Sequence, residues 1–207
     1  MRQLVRSFEE LGTDSASAGG KGGTLARLHQ AGYAVPDGFV IPPGAFDGDT
    51  LTPKAWIEVQ GHLARHRVAD GGAAFSVRSS ALSEDSAQAS FAGEFETVLD
   101  IRTDEEVRAA IDTVRASRAS DRVQAYSHAH GLDARHDMAV VFQRLVRADV
   151  SGVLFTADPV TGSYERMVGN YVHGLGEGVV SGEAEPKTFT LSRPRGKYDG
   201  PNDLKPL

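Results

Sequence analysis

The chain has 207 residues, is 40% hydrophobic and 24% charged, and carries a formal net charge of -6. This composition is typical of a globular protein that buries a core, as one domain or as two small lobes. The acidic balance disfavours general attraction to nucleic acid or to an anionic membrane, so an anionic ligand needs a local basic site. The sequence contains no cysteine, which excludes disulfides and thiolate metal sites. With no apolar run at the N-terminus, these features favour a cytoplasmic location.

The first predicted elements are a helix and a strand. Residues 22–31 place two leucines at helical spacing, and Gly32 fits the left-handed residue that ends many helices. The next residues indicate a turn into a strand. Residues 42–72 contain several prolines and a glycine pair around a modest helical pattern, so we expect a connecting region there rather than a core element.

A second strand and a second helix follow. Residues 73–79 alternate between apolar and polar side chains, which predicts a half-buried strand with Arg78 pointing away from the core face. Thr103 begins a capping box, and the helix after it is predicted to continue, with a break, to Gly131. The apolar face of that helix is predicted to consist of Val107, Ile111 and Val114.

The second half of the chain consists mainly of short apolar or alternating runs separated by turn residues. These runs predict strands at residues 138–146, 151–157, 166–172 and 187–192. Because helices and strands occur in segregated runs, the predicted fold class is α+β with a largely antiparallel second half. The predicted divisions are an N-terminal lobe at 1–101, a helix and sheet lobe at 102–192, and a mobile polar tail at 193–207.

The first candidate site is the glycine-rich run from Gly19 to Thr24 at the start of the first helix. Flexible backbone and free amide groups at a helix start can approach phosphate, and Lys21 can supply a positive charge. The run is not a Walker P-loop, because Gly22 stands where that motif needs Ser or Thr, and Ser15 stands where it needs its first glycine. Read alone, such a run before a helix is more often a simple turn without a ligand, and both interpretations stay open.

The second candidate site lies between Ser76 and Ile101. Arg78 can hold phosphate oxygens in a two-pronged contact, and backbone amides of the small-residue loop Ser90-Phe91-Ala92-Gly93 can lie close to a polyphosphate. The alternative is a surface ion pair between Arg78 and Glu84 or Asp85. Those two acidic residues fit a solvated helix start better than a metal site.

Three further patterns are less specific. Gln143 closes an apolar strand, and the backbone around Leu145 can hold the edge of an adenine ring, although a polar residue at a strand end needs no ligand. The histidines between 128 and 136 have no spacing typical of a metal site. The glycine-rich run at 174–178 departs from a dinucleotide fingerprint, which leaves Glu177 as a candidate ribose or metal contact.

Four segments, taken in order, resemble the nucleotide-binding domain of the pyruvate phosphate dikinase, phosphoenolpyruvate synthase and rifampin phosphotransferase family. They are residues 19–41, 76–101, 138–162 and 173–191, and they cover most of the chain between residues 18 and 191. The resemblance implies an ATP-grasp-like fold, in which two lobes close on ATP, with Mg²⁺ as the accompanying cofactor. Phosphoryl transfer consists largely of positioning and charge neutralisation, which such a site supplies.

The resemblance also implies a role for particular residues. Lys21 and Arg78 are implied to be catalytic and to contact the phosphates. The loop implied to cover the phosphates consists of Ser90, Phe91, Ala92 and Gly93. The other implied nucleotide contacts are Thr97, Gln143, Leu145 and Glu177, and of these Gln143 and Leu145 are implied to lie near the adenine.

The sequence departs from the family in two respects. It shows neither the family's acidic strand motif that holds Mg²⁺ nor its phosphohistidine pattern, so the metal ligands are not identified and the domain is expected to be truncated on its C-terminal side. We therefore predict the ATP-binding part of a dikinase-type phosphotransferase, incomplete alone. It would pass a phosphoryl group from ATP, through a histidine on another domain or chain, to an acceptor such as pyruvate or an antibiotic. The alternative is a non-catalytic nucleotide-binding or scaffold module derived from this family.

Overall fold

The computed structural model describes residues 3–12, 15–69, 72–82, 96–120, 137–176, 185–193, 196–201 and 203–204. The chain divides into two compact units, Met1–Leu145 and Val146–Leu207. The predicted boundary between residues 101 and 102 lies inside the first of these units. In the described part of the chain, no helix combines the length and the apolar character that crossing a membrane requires.

The first unit combines helices with antiparallel strands. Its strands are β1 (Arg6–Ser7), β2 (Gly38–Ile41), β3 (Phe46–Asp47), β4 (Thr50–Leu51), β5 (Phe75–Ala81), β6 (Thr97–Ile101) and β7 (Met138–Arg144). Its α-helices are α1 (Gly19–Gln30), α2 (Pro53–Ala69) and α3 (Asp104–Ala116). Five of the strands form one sheet in the order β1-β2-β7-β5-β6, and β3 pairs with β4 in a short hairpin. All of these pairings are antiparallel.

Helices cover both faces of the five-stranded sheet. Side chains of α2 and α3, such as Leu63 and Ile111, are buried with Phe75 and Phe142 of the strands in the larger core. The opposite face packs against α1 in a smaller cluster of buried residues, which consists of Phe8, Leu11, Ala18, Ala26, Val40, Ala139 and Val141. We call this second side of the sheet the α1 face. Because side chains alternate along a strand, every second residue of β5 points to the α1 face.

The second unit is a four-stranded antiparallel sheet. Its strands are β8 (Val150–Phe155), β9 (Arg166–His173), β10 (Lys187–Ser192) and β11 (Lys197–Asp199), in the order β11-β10-β9-β8. The turn between β8 and β9 is organised by the buried Asp158, which accepts hydrogen bonds from the backbone of Val160 and Thr161. Arg166 adds an ion pair to the same carboxylate at 2.6 Å. These bonds lower the pKa of Asp158 to about 2, with the Arg166 contact as the largest cause.

Most predicted elements are confirmed. The predicted N-terminal helix is α1, and Gly32 after it has a φ of +80°. The capping box at Thr103 is present: its side chain accepts from the Glu106 amide at 3.2 Å, and the Glu106 carboxylate accepts from the Thr103 amide at 3.0 Å. The predicted strands of the second half are β7, β8, β9 and β10, all antiparallel. The predicted continuation to Gly131 lies outside the described residues.

The prediction of a connecting region at 42–72 is wrong, because it contains the 17-residue helix α2. Pro53 occupies the first helical position, where its missing N–H costs no hydrogen bond. The hydroxyl of Thr52 accepts from the Ala55 amide at 3.3 Å and so satisfies one of the free donors at the helix start. Buried Val59 and Leu63 then fix the helix on the sheet.

The described residues of the predicted polar tail form regular structure and side-chain contacts. Residues 197–199 form β11 and pair with β10. Beyond that strand, Asp203 accepts hydrogen bonds from Tyr171 at 2.6 Å and from His173 at 3.0 Å, and it forms an ion pair with Lys187. Strand pairing and a charge network therefore hold a segment that its prolines and polar residues suggested to be loose.

Candidate functional site

The first turn of α1 lies very close to the sheet because two of its glycines lack side chains. Gly19 has a φ of +69°, and a Cβ added there would lie 2.4 Å from the carbonyl oxygen of Ser80. A Cβ at Gly22 would lie 3.2 Å from the side chain of Val141. Two of the glycines that were candidates for phosphate approach therefore serve helix-to-strand packing.

Lys21 lies between these two glycines in the first turn of α1. Its side chain is half-buried, and the ammonium donates a hydrogen bond to the carbonyl oxygen of Ser79 at 3.0 Å. Ser79 belongs to β5 and is the residue next to Arg78. This contact brings the cationic end of a helix residue to the strand that carries the second predicted cation.

Arg78 lies in the middle of β5 and points to the α1 face, as its alternation with Val77 predicts. It is paired with Val141 on one side and with Thr97 on the other. Partial burial lowers the pKa of its guanidinium. Within the described residues, the structure shows no hydrogen bond or ion pair of this side chain. The alternative partners Glu84 and Asp85 lie outside the described residues.

The sheet register brings two more predicted residues to the same face. Thr97 is the direct partner of Arg78, and Gln143 is the partner of Ser76, two residues before Arg78. Gln143 is buried, and its amide group donates to the carbonyl oxygen of Pro36 at 3.1 Å. The α1 face thus collects Lys21, Arg78, Thr97 and Gln143, which lie far apart in the sequence.

Leu145 lies just beyond β7 and is half-buried. Its backbone amide donates to the carbonyl oxygen of Ala74 at 2.8 Å. The amide of Arg144 is likewise occupied, by the carbonyl oxygen of Asp37 at 2.9 Å. A contact between Leu145 and an adenine ring would therefore use its carbonyl oxygen or its side chain rather than its amide.

An open depression of about 260 Å³ lies beside the first turn of α1. Its lining includes Gly20, Gly23 and Thr24, together with Arg27 from the next turn and Leu82 after β5. Arg27 donates to the Thr24 hydroxyl at 3.1 Å, so the depression has one cationic wall. Neither Lys21 nor Arg78 lines it, and the Lys21 ammonium is directed to Ser79.

Several predicted residues lie outside the described part of the chain. These are Glu177, the three histidines 128, 130 and 136, and the loop residues Ser90, Phe91, Ala92 and Gly93. The described residues contain no group of three or more His, Asp or Glu side chains that could hold a metal ion. They therefore do not identify ligands for Mg²⁺.

The structure shows two sets of polar contacts, around Ser80 and around Asp203, whose residues were not predicted as site residues. Ser80 contacts the start of α1 through its buried hydroxyl. The sequence indicates this role only weakly, through the position of Ser80 two residues after Arg78 on the same face of β5. In the second unit, Asp203 contacts Tyr171, His173 and Lys187. Burial and the Asp203 contact raise the pKa of Tyr171 to about 12, and Lys187 is the largest cause that lowers the pKa of Asp203.

Comparison with known proteins gives a family for this chain. Residues 54–202 match the pyruvate phosphate dikinase, AMP/ATP-binding domain. The matched region includes Arg78, Thr97 and Gln143 and begins after Lys21.

Similar curated proteins extend this likeness over most of the chain. Prodigiosin synthesizing transferase PigC of Serratia marcescens is 39% identical over 86% of this chain and 22% of its own length. Rifampicin phosphotransferase of a Streptomyces species is 34% identical over 85% of this chain and 25% of its own length. A probable phosphoenolpyruvate synthase of Methanothermobacter thermautotrophicus is 32% identical over 95% of this chain and 35% of its own length. The chain therefore spans only 22% to 35% of the length of these relatives.

The family match covers more than half of the chain and contains most of the strands that form the α1 face. The chain belongs to the family of the pyruvate phosphate dikinase AMP/ATP-binding domain.

Proposed function

We propose that this chain is the ATP-binding part of a dikinase-type phosphotransferase and that the α1 face holds the phosphates of ATP. One observation carries the proposal: two cationic residues from separate elements meet at the same short stretch of β5. Lys21 reaches the Ser79 carbonyl from α1, and Arg78 is the neighbouring residue of that strand. An anionic ligand at this place would meet both charges.

The electrostatics of Arg78 favour such a ligand. Its guanidinium is partly desolvated and has no described carboxylate partner. A triphosphate supplies oxygens for a two-pronged arginine contact, and hydrogen bonds between charged groups are stronger than those between neutral groups. Lys21 would add a compact point charge, which suits a phosphate oxygen from a second direction.

Thr97 and Gln143 belong to the proposed site because they share the α1 face with Arg78. Leu145, Glu177 and the loop from Ser90 to Gly93 remain proposed nucleotide contacts through the family resemblance alone. We assign no residue to Mg²⁺ and derive no step through it, although Mg²⁺ bound to the phosphates would neutralise charge during transfer. The ATP-grasp-like arrangement of two lobes and the cytoplasmic location are parts of the same proposal.

The proposed reaction divides between this chain and other domains. The α1 face would bind ATP, orient its terminal phosphate and neutralise its charge. A histidine on another domain or chain would then accept the phosphoryl group and pass it to the final acceptor. Two of the relatives carry names that point to different acceptors, rifampicin and pyruvate, which supports an acceptor site outside the region that they share with this chain.

Isothermal titration calorimetry with Mg²⁺ and ATP tests the proposal. Lys21→Ala should weaken ATP binding by about 10-fold or more, because a hydrogen bond to a charged group contributes about 1.5–3 kcal/mol. The matched control is Lys54→Ala, which removes a lysine of α2 on the other side of the sheet. This control should bind ATP like the parent chain.

Two outcomes would contradict the proposal. One is a parent chain that binds neither ATP nor ADP, and the other is equal weakening by Lys21→Ala and Lys54→Ala. ATP binding that never leads to phosphoryl transfer, even with the remaining domains present, would support the alternative of a nucleotide-binding module.

A further inference from the structure

We infer that Ser80 is a positioning residue for Lys21. Its hydroxyl fixes the start of α1 on β5 and thereby determines where the Lys21 ammonium lies. The predicted effect on ATP rests on the proposed function, whereas the geometry at the helix start does not.

The Ser80 hydroxyl is built into the first turn of the helix. The side chain is fully buried; its Oγ accepts a hydrogen bond from the Gly22 amide at 3.0 Å and donates one to the Ala18 carbonyl oxygen at 2.7 Å. Gly22 and Ala18 are four residues apart, and this is the donor and acceptor pair that the first hydrogen bond of an α-helix joins. We call this pair of contacts the Ser80 bridge.

The helix start needs support from another element. Ala18 precedes the first helical residue, and no side chain there makes a capping hydrogen bond. Gly19 then adopts a left-handed φ of +69°, so the chain changes direction two residues before Lys21. Free amide groups at a helix start are usually satisfied by a local capping side chain. Here no local cap is present, and a serine from β5 instead bridges the first donor and acceptor pair of the helix.

The Ser80 bridge controls Lys21 because the lysine lies between its two ends. The backbone of Lys21 is enclosed by Ala18 and Gly22, both of which contact Ser80. The ammonium of Lys21 donates to Ser79, the residue before Ser80. Ser79 therefore contacts the ammonium of Lys21, and Ser80 contacts the backbone on either side of Lys21. Both serines directly follow Arg78 in β5. Such preorganisation increases affinity because less freedom is lost when the ligand binds.

Removal of the hydroxyl in Ser80→Ala tests this inference in the intact chain. We expect ATP to bind about fivefold to twentyfold more weakly, because Lys21 would no longer be held before binding. Residues that act through a shared partner show non-additive effects in a double-mutant cycle. In a Lys21→Ala background, the effect of Ser80→Ala on ATP affinity should therefore shrink to about twofold or less.

Ser117→Ala is the matched control for the loss of a buried serine hydroxyl. Ser117 is buried after α3 and donates to the Val114 carbonyl oxygen at 2.7 Å, away from the α1 face. This variant should leave ATP affinity unchanged. If Ser80→Ala fails to fold, Ser80→Cys provides a second variant, because a thiol occupies the site but is a weaker donor and acceptor.

Amide hydrogen exchange without ATP separates the inference from the proposed function. The Gly22 amide should exchange at least about tenfold faster in Ser80→Ala than in the parent chain, since it loses the buried hydroxyl that accepts its hydrogen bond and only the Ala18 carbonyl oxygen is left as an acceptor. A parent chain that does not bind ATP would overturn the proposed function but leave this exchange result to decide the Ser80 bridge. Unchanged exchange at Gly22, or equal weakening of ATP binding with and without Lys21, would overturn the inference.

Discussion

Arg78 carries a positive charge on a partly buried side chain. Its partial burial disfavours the charged form of the guanidinium, as the direction of its pKa shift indicates. The structure shows no described carboxylate that compensates this loss of hydration. Desolvated charges without good partners often lower stability, and their replacement by an apolar residue of similar length can be neutral or stabilising.

This argument predicts opposite effects of Arg78→Met on stability and on binding. The free energy of unfolding should stay the same or rise, while ATP affinity should fall by about 10-fold or more. Arg78→Lys should bind ATP with intermediate affinity, because lysine cannot make the two-pronged contact. Urea unfolding and calorimetry measure the two quantities. A large loss of stability with unchanged ATP affinity would show that Arg78 has a structural role instead.

The sequence predicts some of the site at the level of single residues, and the limits have a physical origin. Alternation along one strand is a local pattern, so the placement of Arg78 on the face opposite Phe75 and Val77 is predictable. The alternation predicts a half-buried strand, but α1 covers that second face as well, and β5 is buried on both faces. The contacts of Lys21 and Ser80 join residues 58 to 62 positions apart. Each of these contacts uses a backbone group on one side, a carbonyl in two of them and an amide in the third, so no residue type marks that partner. The close packing at Gly19 cannot be predicted from the sequence either, because it depends on how α1 lies against β5.

At the scale of elements, α2 shows why a helix can be missed. Its apolar core positions are few, and the buried face is completed by His62 and His66. Histidine counts as a polar residue in a hydrophobicity pattern, so the apolar stripe of α2 is short in the sequence. In the fold, both rings stack on Phe39, with centroid distances of 4.9 Å and 6.2 Å. By contrast, α3 has an apolar stripe and a capping box in adjacent sequence, and its start and its apolar face agree with the prediction.

The two buried histidines predict a dependence of stability on pH. Burial is the largest cause that lowers the pKa of both His62 and His66. The unfolded chain therefore takes up protons first when the pH falls below the usual value of about 6.5, and the free energy of unfolding must decrease in that range. We expect a loss of about 1 kcal/mol between pH 7.5 and pH 5.5, measured by urea unfolding.

Charged residues around each histidine also affect its pKa. His62 is faced by Arg65, which lowers its pKa, and by Glu10, which raises it. For His66, Asp37 raises the pKa, while Arg144 and Arg65 lower it. His62→Phe keeps an aromatic ring against Phe39 and removes one titrating group, so the slope with pH should become shallower. Lys54→Ala on the same helix should keep the original slope. A steeper slope in His62→Phe would contradict the assignment.

At the scale of the whole molecule, the buried apolar side chains are distributed very unevenly. Among the described residues, 29 hydrophobic residues are buried, and only Tyr171 and Val172 of these belong to the second unit. The first unit has helices on both faces of its sheet, whereas the described second unit consists of strands and turns. Several apolar residues of β8, including Leu154 and Phe155, are more than 40% exposed. Burial of apolar area is the main source of stability, so the two units should differ in resistance to opening.

Hydrogen exchange followed by mass spectrometry tests this difference in the intact chain. Peptides from β5 and β7 should exchange only through global unfolding, because their strands lie in the interior of the five-stranded sheet with buried side chains on both faces. Peptides from β8 and β10 should exchange at least about 100-fold faster, since an opening that exposes few buried side chains costs less free energy. Asp203 connects Tyr171 and His173 of β9 with Lys187 of β10, so Asp203→Asn should accelerate exchange there and leave β5 unaffected. Equal protection of both units would show that the second unit opens only together with the first.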